Sequence, residues 1–385
     1  MRKYLFILIF ALIQSQCFSQ SCIEIDLDKF LATERDPLLS EIASDIEFIK
    51  LKTDQDHLIG KIGSISRFND KLLITTNQGK SLYIFTNQGE FVSEIGRYGK
   101  GPGEFLQIYG MSIDPVSNHL YILDNNKSKM MEYSSEGVFI KEKKLSFYAT
   151  GLHATENGFI FYTGSVYTAR SNGCLLTVTD KDFNILSSHH PRSMDKGIPD
   201  RLNNLYKIEE DLYYWEPYWD TVYAFNGSTK QAKYSFSMGK KQLPKKLLEK
   251  VIMYDTGVDN YRWVLFYKDF KDFLYFNIAD LNRRGKRIFY DKNTQEGYCI
   301  PGNLDYMDWG FIDDISGGPL FSFFSKLSSD EIVCVFDVIE LKEYETKGFI
   351  DAERAKNTKR HQELAEILKS SSIEDNPIIA IAKLK

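Results

Sequence analysis

Past its first twenty residues the chain has no long apolar run, no Cys-x-x-Cys pair, no His-Glu-x-x-His and no Gly-x-Ser-x-Gly. The first absence excludes a membrane-spanning helix in the body of the chain. The others exclude the common zinc ribbons, helical zinc proteases and hydrolases with a strained serine turn. Proline is scarce, at 10 of 385 residues, and charged residues make up only 26%, which argues against a disordered chain. Five cysteines, Cys17, Cys22, Cys174, Cys299 and Cys334, are scattered singly and read as free thiols rather than a disulfide frame. A formal net charge of −5 with no basic stripe excludes nucleic acid and anionic lipid surfaces as electrostatic partners.

What is abundant is aromatic: 27 Phe and 23 Tyr, which favour strands and a large core. The N-terminus has a different character. Arg2 and Lys3 precede the apolar run Tyr4–Ile13, and a polar stretch with small residues follows. Residues 1–20 therefore read as a signal peptide, with cleavage expected near Ser19 or Gln20. Cys17 and Cys22 are the positions open to a lipid anchor, although Gln14–Gln16 and Ser19–Ser21 before them fit a lipidation signal poorly.

Residues 21–385 read as one domain, because the chain repeats itself. Residues 62–95 match residues 110–143: Ser64 and Ile65 with Ser112 and Ile113, Leu72 and Ile74 with Leu120 and Ile122, Gly89 and Phe91 with Gly137 and Phe139. Each unit is a meander of short strands, Lys71–Thr75, Ser81–Phe85 and Glu90–Ile95 in the first, with Gly89 or Gly137 supplying the turn. Degraded copies follow at Gly158–Tyr162, Asp211–Trp215, Phe273–Phe276 and Leu320–Phe323 with Glu331–Phe336. A lone meander cannot bury both faces, so such sheets stack radially into a ring. The expectation is an all-β, six-bladed propeller with four-stranded antiparallel blades. Asp45–Leu51 and Pro377–Leu384 are the terminal strands expected to close it. Helical signals are few: Leu243–Tyr254, and an insertion over residues 351–370 with Asp351 as N-cap.

Four motifs in order carry a family likeness: Ile95–Phe105, Trp219–Tyr223 with Met238–Pro244, Asp313–Pro319, and Glu374–Ile379. With them the chain resembles the six-bladed β-propellers, of the TolB-like or NHL-like kind, common among Bacteroidetes envelope proteins and lipoproteins. The resemblance implies a propeller exported to the periplasm or outer membrane. It implies no mechanism.

Three segments invite a chemical reading. Gly96–Gly103 lacks the Lys and hydroxyl of a phosphate loop. It reads as a stiff crossover between blades, built on Arg97, Gly99, Gly101, Pro102, Gly103 and Glu104. Trp215, Tyr218, Trp219 and Asp220 suit either a stacking platform for sugar rings or packing between blades. Asp305, Asp308, Asp313 and Asp314 suit either calcium or turn capping, and the capping reading is preferred, leaving no cofactor. The ligand-binding set expected is Trp215, Tyr218, Trp219, Asp220 and Asp314, with no catalytic and no metal residue. The expected function is an exported, non-catalytic protein binding a glycan, peptide or envelope protein at a channel mouth. A carbohydrate-active lyase or hydrolase and a structural subunit of an envelope complex are the alternatives.

Overall fold

Runs of β-branched and aromatic residues broken by Asn, Asp and Gly turns favour strands over helices. A computed structural model describes residues 22–53, 57–163, 173–190, 205–208, 211–216, 219–247, 258, 260–279, 285–302 and 309–385. Strand β1 (Ile23–Asp26) leads through helices α1 (Leu27–Leu31) and α2 (Leu39–Ile42) to β2 (Ala43–Lys50). Blade 1 is β3 (Ile62–Phe68), β4 (Lys71–Thr76), β5 (Ser81–Phe85) and β6 (Phe91–Glu94). A short parallel pair, β7 (Arg97–Tyr98) and β8 (Glu104–Phe105), crosses to blade 2: β9 (Gly110–Ile113), β10 (Leu120–Asp124), β11 (Lys129–Tyr133) and β12 (Phe139–Lys144). Blade 3 is β13 (Gly151–Thr155), β14 (Gly158–Tyr162), β15 (Leu176–Asp180) and β16 (Ile185–His189). Blade 4 is β17 (Leu205–Ile208), β18 (Asp211–Trp215), β19 (Thr221–Phe225) and β20 (Lys230–Ser237). Blade 5 is β21 (Trp263–Asp269), β22 (Phe273–Ala279), β23 (Lys286–Asp291) and β24 (Gly297–Ile300). Blade 6 takes β25 (Ser325–Lys326), β26 (Glu331–Phe336) and, after helices α3 (Val338–Thr346) and α4 (Thr358–Ser370), β27 (Ile378–Leu384).

The ring is closed by both ends of the chain. The last strand β27 lies between β26 and β2, so the first long strand is the outer edge of the final blade. The splice continues into blade 1, where the Lys52 amide donates to the Gly89 carbonyl at 2.8 Å. Gly89 has φ +82°, and a Cβ there would sit 2.0 Å from the Lys50 carbonyl oxygen, so glycine alone fits this turn against the closing strand.

First strands of neighbouring blades touch one another, β9 with β13, β13 with β17, and β25 with β3, which puts them around the axis. Each blade interface holds its own apolar cluster. Strand period 2 divides the second strand between two of them: Leu120 and Ile122 pack toward blade 1, Tyr121 and Leu123 toward blade 3.

Three expectations need correction. Leu320–Phe323 is no strand; Phe321 makes a single bridge to Phe311, and the inner strand of blade 6 is the short β25. The helix expected over 351–370 begins at Thr358, where the Asn357 side chain accepts from the Arg360 amide. Asp351 instead accepts from the Glu353 amide in a turn, while its own amide donates to the Gly317 carbonyl. Helix α3 was hidden in sequence because it is short, follows directly on a strand and has only a weak apolar face, Val338 and Leu341. Its Leu341, with Leu364 and Leu368 of α4, is buried against blades 5 and 6. Of Leu243–Tyr254, Lys245–Leu247 form a 3₁₀ turn, and residues 248–254 lie outside the described residues.

Candidate functional site

The inner strands decide what a ligand on the axis would meet. Among the described residues they carry Arg67, Lys207, Lys268 and Lys326 as cations and Asp269 as their one acid. Asp269 is held by Lys292 at 2.5 Å, and Arg67 by both oxygens of Glu331. Arg67 and Asp269 are thus paired, and among the described residues the inner strands carry more cations than acids.

Two half-buried cations of blade 5 lie toward its seam with blade 6, and among the described residues no carboxylate pairs with them. Lys268, on β21, reaches across to blade 6, where its ammonium donates to the Phe323 and Phe324 carbonyls at 2.7 and 2.6 Å. Burial, reinforced by the nearby Arg287 charge, brings its pKa down to about 8. Arg287, on β23, donates to the Asn277 side-chain oxygen and lies over the Trp309 ring at 4.7 Å and the Phe266 ring at 5.7 Å. Burial lowers its pKa as well, with Tyr275 opposing. Neutral carbonyls, an amide and ring faces solvate these two charges without cancelling them. Sequence reading missed both, for Lys268 ends the apolar run Trp263–Tyr267 and Arg287 opens Arg287–Tyr290, each resembling an ordinary strand end.

The opposite pole is the face on which the second strands end. Equivalent positions there are Thr76, Asp124, Thr163 and Glu216 in blades 1 to 4, all buried, and Ile278 and Phe336 in blades 5 and 6. Asp124 accepts from the Leu106 amide at 2.8 Å and so ties the crossover to its blade.

The aromatic set expected to stack on sugar divides. Trp215 is fully buried, its indole N–H donating to the Trp219 carbonyl and its ring meeting Tyr267 edge-on. It packs blade 4 on blade 5 and offers no face to a ligand, because strand alternation points it inward. Trp219 and Asp220 are half-buried at the edge of a cavity of about 20 Å³ with Phe236, Met238 and Trp263, too small for a sugar. Tyr218 lies outside the described residues. Asp314 is not brought to Trp219: its oxygens accept from the Ser40 amide and hydroxyl, and Lys356 stands at 2.7 Å.

Asp313 caps its own loop, accepting from the Ile315, Ser316 and Gly318 amides and the Ser316 hydroxyl. Asp305 and Asp308 lie outside the described residues. Among the described residues no group of three or more His, Cys, Asp or Glu is placed to hold a metal.

The glycine-rich segment is a crossover fixed to blade 2. The Glu104 carboxylate accepts from the Gly101 amide at 2.8 Å and faces the Arg97 guanidinium at 3.7 Å. Lys127 donates to the Gly99 carbonyl, the Tyr133 hydroxyl to the Gly103 carbonyl, and the Gly103 amide to Glu142. Gly103 has φ +67° and a Cβ there would meet the Phe139 ring at 2.8 Å, so its glycine answers to packing.

A family model described as a domain of unknown function, DUF4934, matches residues 22–383. Among solved structures, a protein of Bacteroides fragilis NCTC 9343 described as exported is similar, with TM-score 0.73, 22% identity, and coverage of 95% of this chain and 100% of that one. A DUF4221 member from Bacteroides vulgatus ATCC 8482 is similar at TM-score 0.51 and 10% identity, with 89% and 97% covered. At these identities the likeness shows the propeller fold. No protein with a curated description matches. No helix among the described residues is long and apolar enough to cross a membrane.

Proposed function

The chain belongs to the DUF4934 family, and from that premise we propose that it is an exported, non-catalytic propeller that binds an anionic ligand, an acidic glycan first among them, at the ring axis. The leader pattern of residues 1–20 supports export. The observation that carries the binding reading is the pair Lys268 and Arg287, two half-buried cations of blade 5 solvated by carbonyls, an amide and rings instead of carboxylates. A buried charge held this way gains from an arriving anion, since low local dielectric strengthens the contact and no internal partner must first be displaced.

Titration calorimetry of the mature protein with galacturonate tetrasaccharide, beside its fully methyl-esterified form, tests the reading. Binding of the acid and not of the ester is expected, with at least roughly tenfold loss in Lys268→Met or Arg287→Met. Equal binding of acid and ester, or no effect of either substitution, contradicts it.

A further inference from the structure

Between blade 5 and the helices of blade 6 lies a cavity of about 390 Å³, lined by Ile312, Pro319, Leu320, Tyr344, Phe349 and Arg354 among others. Its volume is in the range of small-ligand pockets, and its walls are mainly apolar with few polar groups. Arg354 is the cation in that wall. Its Nε donates to the Asp313 carbonyl at 3.3 Å, and Nη2 donates to the Gly317, Gly318 and Phe349 carbonyls at 3.1, 2.6 and 2.6 Å. The guanidinium is thus fixed by three stretches of backbone, while among the described residues Nη1 bonds no protein atom and no carboxylate pairs with the charge. Two acids share the lining and neither meets it. The Asp313 carboxylate is turned into its own loop by four donors, and Asp36 is exposed.

The geometry points to a second binding site here, separate from the axis: a pocket for a carboxylate carried on a compact apolar body, the chemistry of a peptide's last residue. The free edge of Arg354 takes the carboxylate, and Ile312, Leu320, Tyr344 and Phe349 surround the side chain. A guanidinium locked by backbone loses little freedom on binding, so its free Nη1 donors are already in place for the carboxylate. The same carboxylate chemistry occurs in fatty acids, and the probes separate the two sources.

The test is ligand-observed NMR and calorimetry on the full mature chain with N-acetyl-leucine, N-acetyl-phenylalanine, their primary amides, and octanoate. The acetyl amino acids are expected to bind and the amides to bind at least roughly tenfold more weakly. Leu320→Trp fills the cavity while leaving Arg354 and its carbonyl ties untouched, and is expected to abolish binding at an unchanged melting temperature. Octanoate binding without the acetyl amino acids keeps the carboxylate site and overturns the peptide source. Acids and amides binding alike, or Leu320→Trp binding as wild type, overturns the site. Galacturonate binding at the axis is expected to survive Leu320→Trp, so loss of one site is distinguishable from loss of the other.

Discussion

Blades 1 to 3 and blades 4 to 6 are built to different plans. In the first group, among the described residues, the outer strands β6, β12 and β16 have no further strand beside them. Equivalent outward positions there hold Val92, Ile140 and Leu186, all exposed. In the second group every outer edge is covered. Strand β1 adds to β20 in parallel, the bridge Glu34–Cys299 and α1 lie along blade 5, and α4 packs on β2 with Arg360 forked onto Asp45. The difference teaches that stability in the ring is pooled on the side where the chain ends meet. Blades 1 and 2 each rely on their own meander, whereas blades 4 to 6 share their packing with added segments.

That comparison can be broken by removing shared parts. Deleting residues 376–385 takes away β27, the strand between β26 and β2, and leaves the fully buried Ile332 and Cys334 side of blade 6 without its partner. Loss of the cooperative melt and of soluble yield is expected; a soluble truncation melting like the full chain contradicts the closure. Next in size is Phe276→Ala. Phe276 is fully buried between blades 4 and 5 against Phe236 and Tyr267, so a loss of about 3–5 kcal/mol in urea unfolding is expected. Asp45→Ala cuts the fork from Arg360 at the rim of blade 6, and its partly exposed setting limits the loss to about 1 kcal/mol or less. Hydrogen bonds from the Arg360 guanidinium, against an upward push from burial, hold the Asp45 carboxyl below its ordinary range. Its stabilising effect is therefore present above the ordinary aspartate range and fades as pH falls through that lowered value. The smallest effect belongs to the uncovered side. Val92→Lys, Ile140→Lys and Leu186→Lys are each expected to change stability by less than about 0.5 kcal/mol. A larger loss in the same unfolding assay would mean those edges are covered after all.

The same division explains what the sequence made legible. The repeat stands out in residues 62–95 and 110–143 because each of those blades must carry its own alternation and its own turns. In blade 6 the pattern dissolves: β25 has two residues, and the two outer strands of the blade come from residues 43–50 and 378–384, far apart in the chain. The closing strands were readable because edge alternation and a leading proline are local features. The site was less so. Trp215 and Trp219 are equally aromatic, and position decides between them: Trp215 ends β18 facing blade 5, while Trp219 sits in the loop before β19 and stays half-open. Lys268, Arg287 and Arg354 acquire meaning from backbone carbonyls and ring faces brought from other blades, which no spacing records.

That Lys268 and Arg287 hold charge no carboxylate compensates, and so receive an anion, is tested by proton uptake on binding. Lys268 sits near pKa 8 with Arg287 and the Cys334 thiol as the titratable neighbours acting on it. An anion beside it favours the charged form and raises that value. Calorimetry of galacturonate tetrasaccharide at about pH 8.5 in two buffers of different ionisation enthalpy is predicted to show net proton uptake, vanishing in Lys268→Met. Binding with no proton uptake, or uptake unchanged in that variant, would contradict it.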